Sequence, residues 1–148
     1  MEHEQIMSNK KHELEQLNKE ISFLYYETSK LWFDGQNFLE AIFFLDKAII
    51  KNETEASFYY HKGLALIELN RFDEAVQCLR EAPEKCGDSF LWHSSCFFFS
   101  EGYALYRLNK FEDAIRCFEE TEDIDEPDSQ SFIWRNLSFF KLNIARAG

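Results

Sequence analysis

Turn-forming residues are scarce in this chain: its 148 residues include 2 Pro and 5 Gly. A β-sandwich or barrel needs many turns, so this composition argues against either. No run of about 18 apolar residues occurs, which excludes an obvious membrane-spanning helix. The first twenty residues are polar and charged and lack the apolar core of a signal peptide. Basic residues are outnumbered, 16 Lys and Arg against 27 Asp and Glu, for a formal charge of −11. That sign repels phosphate backbones and anionic lipid, so neither nucleic acid nor a membrane is an expected partner. It suits solubility and a basic or apolar partner. There is no Gly-rich phosphate loop and no nucleophile elbow, and no acid–base pair stands out among the many carboxylates. The expectation is a protein that is not an enzyme and uses no cofactor.

What is present is apolar and repetitive. Hydrophobic residues make up 45% of the chain, and 16 of its aromatics are Phe, so a continuous core is available. One phrase occurs three times: Asn37-Phe38-Leu39-Glu40-Ala41-Ile42, Arg71-Phe72-Asp73-Glu74-Ala75-Val76 and Lys110-Phe111-Glu112-Asp113-Ala114-Ile115. The step from Ala41 to Ala75 sets the period, and the step from Ala75 to Ala114 is that period plus a five-residue insertion. A recurring spacing of this size marks a stack of one structural unit. Further places recur in register. Gly63 and Gly102 stand twelve residues before Ala75 and Ala114, Tyr59 and Phe98 sixteen before, and Leu66 and Leu105 nine before. Phe72 and Phe111 precede the alanines by three, Leu79 and Phe118 follow them by four, and Ala82 follows Ala75 by seven. In the first unit the same places hold Tyr25, Ser29, Trp32, Phe38, Ala41, Leu45 and Ala48.

This pattern resembles the tetratricopeptide repeat family, whose helix–turn–helix unit has the same period as the Ala41–Ala75 step, over roughly residues 22–122. The resemblance implies an all-α, right-handed superhelical solenoid of about three units. Two antiparallel helices cross closely in each unit, and residues with little side chain at the crossing allow it. Ser29 in place of glycine, and Thr121 in place of the third unit's last alanine, are departures from the pattern. The chain then reads as one domain. Residues 1–21 form an N-terminal helical extension, 22–55 the first repeat, and 56–89 the second with an insertion to 94. Residues 95–128 form the third repeat and an acidic loop, and 129–148 a capping helix. That cap repeats a first helix once more: Phe132-Ile133-Trp134-Arg135-Asn136-Leu137 aligns with Tyr59-Tyr60-His61-Lys62-Gly63-Leu64. Asp128 or Ser129 fits as its N-cap.

Two segments lie outside the repeat. Leu14, Leu17, Ile21, Leu24 and Thr28 fall at spacings of three and four, a seam that weakens backward through Lys10 and Met7. A helix from about residue 10 is expected to run into the first repeat, either as a plain cap or as a short homodimer seam. In the insertion, Pro83 is expected to end the second helix of unit two, Lys85-Cys86-Gly87-Asp88 to turn, and Asp88 or Ser89 to cap a helix continuing into unit three. Trp92 on that extension would cover the core or edge the groove.

Cys78 and Cys117 hold the same place in two units, which suggests packing rather than bridging and a reducing, cytoplasmic setting. Cys86, His93 and Cys96 lie close together but match no common zinc spacing, so no metal is expected. The acidic run Glu119, Glu120, Glu122, Asp123, Asp125, Glu126 and Asp128 reads as a solvated loop that favours the next helix N-terminus, or as a patch for a basic partner.

By resemblance, the first helices of successive units line a concave groove that binds a peptide or helix of another protein. The places facing it are Phe23, Tyr26, Glu27, Lys30, Phe33 and Asp34, then Tyr60, His61, Leu64, Ile67 and Glu68, then Phe99, Ser100, Tyr103, Tyr106 and Arg107. The surface is aromatic, which suits anchor-type binding. Co-chaperones of the family grip an acidic chaperone tail with a clamp of Lys, Asn, Asn, Lys and Arg. Here those places hold Tyr26, Lys30, His61, Cys96 and Ser100, so the clamp is absent. Length, charge and groove chemistry are also similar to those of secretion chaperones for translocator clients. The expected function is therefore a protein-interaction adaptor. The alternatives are such a chaperone or a self-associating structural subunit.

Overall fold

The computed structural model describes residues 1–91 and 94–147. All described secondary structure is helical: α1 (Glu2–Asp34), α2 (Phe38–Lys51), α3 (Ala56–Glu68), α4 (Phe72–Cys86), α5 (Asp88–Leu91), α6 (Ser94–Arg107), α7 (Phe111–Glu119) and α8 (Gln130–Ala147). The pairs α1–α2, α3–α4 and α6–α7 are the three units, and α8 follows as a fourth first helix. Units meet where α2 packs on α3, α4 on α6 and α7 on α8. The result is an all-α repeat solenoid. None of these helices is long and apolar enough to cross a membrane.

The repeated phrase forms each helix–helix turn. Gln36, Asn70 and Asn109 all take the left-handed conformation, at φ 62°, 59° and 61°. In each turn the next N–H reaches back across the helix end: Asn37 to the Trp32 carbonyl at 2.8 Å, Arg71 to Leu66 at 2.8 Å, Lys110 to Leu105 at 2.9 Å. This is the Schellman closure, which satisfies carbonyls left open at a helix C-terminus. Asn adopts that conformation readily, and Gln36 is the strained member of the set.

The small residues work as the spacing demands, with one refinement. A Cβ at Gly63 would lie 2.6 Å from Leu79 Cδ2, and one at Gly102 2.8 Å from Phe118 Cε1. Each glycine thus lets the large side chain after Ala75 or Ala114 sit on the helix backbone. The three alanines themselves are fully buried. Leu79 and Phe118 are among the largest enclosed side chains, and each fully buried apolar side chain is worth about 2 kcal/mol.

Matching ion pairs bridge two of the junctions. Lys62 on α3 meets Asp46 on α2 at 2.7 Å, and Arg80 on α4 meets Glu101 on α6. Asp46 and Arg80 hold one place of the register, and Lys62 and Glu101 another, so the same pair of places carries opposite polarity in successive units. At the last junction Arg146 of α8 meets Glu112 of α7.

Two expectations about helix ends are corrected. Pro83 does not end α4, which runs on to Cys86 with the proline inside it. Proline costs a helix interior about 3 kcal/mol, but the last turn carries Ala82 and Cys86 into the core and that burial offsets the loss. Gly87 at φ 52° then closes the helix. The N-terminal helix begins at Glu2, not near residue 10, so α1 is 33 residues long, about 50 Å. In the insertion, Phe90 of α5 is buried and packs edge-on against Phe97 at 5.2 Å. Whether α5 runs on into α6, and where Trp92 lies, fall on Trp92 and His93, outside the described residues; so does His93 of the Cys86–His93–Cys96 set.

Cys78 and Cys117 are buried and free, as their register implies. Burial pushes both thiols up to about 12, and that of Cys86 up to about 11. Buried thiols held neutral are packing groups.

Candidate functional site

The face shared by α1, α3, α6 and α8 carries the groove candidates, and its contacts step from helix to helix. Tyr26 on α1 packs on Phe58 and His61 of α3, both at 5.2 Å between ring centroids. Tyr60 on α3 packs on Phe97 of α6 at 5.4 Å. Tyr103 and Tyr106 on α6 meet Trp134 of α8 edge-on at 5.2 and 5.0 Å. Edge-to-face geometry at these distances is favourable beyond simple burial.

The first end is tipped with polar atoms. His61 Nδ1 lies 2.9 Å from the Ser57 carbonyl and 3.3 Å from the Tyr26 hydroxyl. A carbonyl can only accept, so Nδ1 carries the hydrogen and Nε2 is the acceptor nitrogen. Burial lowers the His61 pKa, the Ser57 bond opposes the shift, and the Lys30 charge adds to it. The Tyr26 hydroxyl is raised, chiefly by burial. Lys30 stands over the Tyr26 ring at 4.9 Å and pairs with Glu27 at 2.9 Å. Phe33 reaches His61 at 6.5 Å and Phe38 at 5.1 Å. Tyr26, Lys30, Phe33, Tyr60 and His61 are thus brought together.

The remaining candidates divide. Leu64 is half-buried, and Ile67, Phe99 and Tyr106 lean on the core while keeping some exposure. Arg107 turns away from the first end: it stacks on Phe72 at 4.8 Å and donates to the Tyr103 hydroxyl at 3.1 Å. Ser100 is buried beside Tyr60, whose hydroxyl burial pushes up and Ser100 partly restores.

Sequence reasoning missed α8 as a wall of this face. Carried on by one further period, the row Tyr26, Tyr60 and Phe99 continues to Ile133. Lys30, Leu64 and Tyr103 continue to Leu137, and Phe33, Ile67 and Tyr106 continue to Phe140. The alignment of Phe132 with Tyr59 already carried this, and Trp134 holds the place of His61. Helix α8 is capped by Ser129, whose Oγ accepts from the Phe132 N–H at 3.1 Å. It packs on α7 and buries Ser131 and Ser138, yet leaves Ile133 and Phe140 46% and 60% exposed. It is therefore less a polar cap than a fourth apolar strip.

A cavity of about 360 Å³ opens beside this face, walled by Tyr60, Cys96 and Phe99 and rimmed by Glu122, Asp123 and Gln130. The acidic loop is fixed there: the Glu122 N–H donates to Ser95 Oγ at 3.1 Å, and the buried Thr121 hydroxyl donates to the Phe118 carbonyl at 2.7 Å.

Residues 34–121 match the family described as anaphase-promoting complex, cyclosome, subunit 3. The chain belongs to that family, and it is a tetratricopeptide-repeat protein. Solved tetratricopeptide domains superpose on it. The first such domain of human RPAP3 does so with a TM-score of 0.74 at 16% identity, over 86% of this chain and 97% of that one. The Arabidopsis OM64 domain gives 0.69 at 22%, over 86% and 98%. The first domain of Spaghetti (RPAP3), bound to the HSP90 peptide SRMEEVD, gives 0.73 at 15%, over 84% and 98%. No curated protein sequence matches.

Proposed function

We propose that this protein is an interaction adaptor that holds a peptide or helix of a partner protein on the face shared by α1, α3, α6 and α8. The observation that carries this is the register itself. The three recurring places on those four helices hold aromatic or aliphatic residues everywhere except Lys30. A monomer has no need to keep such a strip half exposed along its whole length, and aromatic anchors on a rigid scaffold are what peptide binding uses. The similar domain bound to SRMEEVD supports peptide binding by a domain of this fold, although the clamp places here hold Tyr26, Lys30, His61, Cys96 and Ser100. No catalytic step is proposed. The double variant Tyr60→Ala/Tyr103→Ala is expected to keep its helical circular dichroism and lose partner recovery from a cell extract. Recovery unchanged in that folded variant overturns the reading.

A second reading, self-association, is favoured by α1. Residues 1–17 are all exposed, and Met7, Leu14 and Leu17 lie at heptad-like spacing on that protruding stretch. An isolated helix is marginal without an apolar partner. Sedimentation of the full chain and of a chain lacking residues 1–20 decides it: the same monomer in both excludes the seam.

A further inference from the structure

We infer that the partner segment is internal and cationic, with an apolar side chain seated between Tyr60 and Phe99 and a Lys or Arg beside Glu122 and Asp123. This rests on the adaptor reading above and names its ligand chemistry. The cavity provides the anchor site. Its wall is aromatic and sulfur-bearing, from Tyr60 on α3 and Cys96 and Phe99 on α6, and it opens beside the shared face rather than being sealed in the core. The rim provides the sign. Glu122 and Asp123 stand at its mouth, and Asp125, Glu126 and Asp128 follow within the same loop. These carboxylates do not sit on a free tail, because the Glu122 N–H is bonded to Ser95 of α6 and the neighbouring Thr121 is buried. A cationic side chain placed there gains a held counter-charge, which sets orientation and association rate more than raw affinity.

The same lining argues against a chain terminus as the ligand. Among the described residues no Lys, Arg or His lines the cavity, so an α-carboxylate there would be repelled by Glu122 and Asp123 with no lining cation to offset them. Lys30, the one cation of the aromatic register, is on α1 and already paired with Glu27. The acidic HSP90 peptide held by the similar Spaghetti domain is therefore the wrong charge for this end of the face.

Short synthetic peptides with blocked ends test the inference, each with a central phenylalanine flanked by lysines in one and by glutamates in the other. Fluorescence polarisation of the full chain is expected to favour the lysine peptide by at least about tenfold, with affinity falling as salt rises. Glu122→Gln/Asp123→Asn, both on the loop, should weaken the lysine peptide about fivefold, as for a moderately exposed charge pair. Cys96→Phe, which fills the cavity from an exposed position, should weaken it about tenfold and leave the salt dependence intact. A lysine peptide with a free C-terminal carboxylate should bind no better than the blocked one. Equal binding of the two blocked peptides, no binding of the lysine peptide, indifference to both variants, or tighter binding of the free carboxylate each overturns the inference. If the partner recovered from extract is lost with Tyr60→Ala/Tyr103→Ala yet unaffected by Glu122→Gln/Asp123→Asn, the adaptor reading stands and this one falls.

Discussion

His61 and Trp134 occupy the same place in the repeat at opposite ends of the shared face, and they make those ends chemically different. His61 sits between Tyr26 and Phe33 of the preceding first helix, and Trp134 between Tyr103 and Tyr106 of its own preceding one. The backbone frame is common, so the contrast comes from side chains alone. One end joins a small titratable ring, a phenol and a cation. The other joins three large rings, beside a cavity whose rim is acidic. A solenoid can therefore keep one stacking geometry and still present a graded surface, because each unit needs only its buried small and large residues to stack.

Breaking the Trp134 end should cost most. Trp134→Ala is expected to lower unfolding free energy by about 3 kcal/mol and to loosen α8, since the ring bridges α8 to α6. Urea denaturation with hydrogen exchange along α8 checks both; His61→Ala should cost less than half as much, and equal losses would erase the contrast. Next in size is the helix crossing. Gly102→Ala should destabilise by about 1–3 kcal/mol because the new methyl meets the buried Phe118 ring, outweighing the gain in helix propensity. A thermal scan showing stabilisation would mean that the ring can move aside.

The titratable end should respond to acid. His61 is held neutral by burial, with its pKa below the ordinary 6.5, so the unfolded chain binds more protons. Stability should be independent of this group above about pH 6.5 and should fall as pH drops below it. His61→Gln should flatten that part of the urea midpoint against pH, while Trp134→Ala leaves its slope unchanged. The smallest effect concerns the turns. Gln36→Gly should stabilise the first unit by about 1 kcal/mol by relieving a left-handed residue, whereas Asn70→Gly changes little. A thermal shift for both, or for neither, would show that the three turns are equivalent.

Much of this was readable in the chain. The repeat located the buried alanines and the glycine crossings, because those places are fixed by backbone approach within one unit; the left-handed residues that precede each phrase, Gln36, Asn70 and Asn109, came from the structure. The Tyr26, Tyr60 and Phe99 row followed from the same counting. Other features depend on burial that no local pattern reports. Pro83 reads as a helix stop, yet Ala82 and Cys86 around it are drawn into the core and the helix continues. The seam on α1 reads as continuous from Leu14 to Thr28, yet none of the described residues covers its first half. Ile133 and Phe140 were within reach of the register, but a helix viewed as a cap is not expected to stay apolar on its open side.

Spacing along the chain was enough to define the unit, its period and which residues recur, since a stacking repeat must place small and large side chains at set distances. How the units differ came only from their packing. Charge reverses between Asp46–Lys62 and Arg80–Glu101, and the acidic loop is fastened through Ser95 beside the Tyr60–Phe99 cavity. These are contacts between units, set by which side chains meet across a junction rather than by spacing within one helix pair.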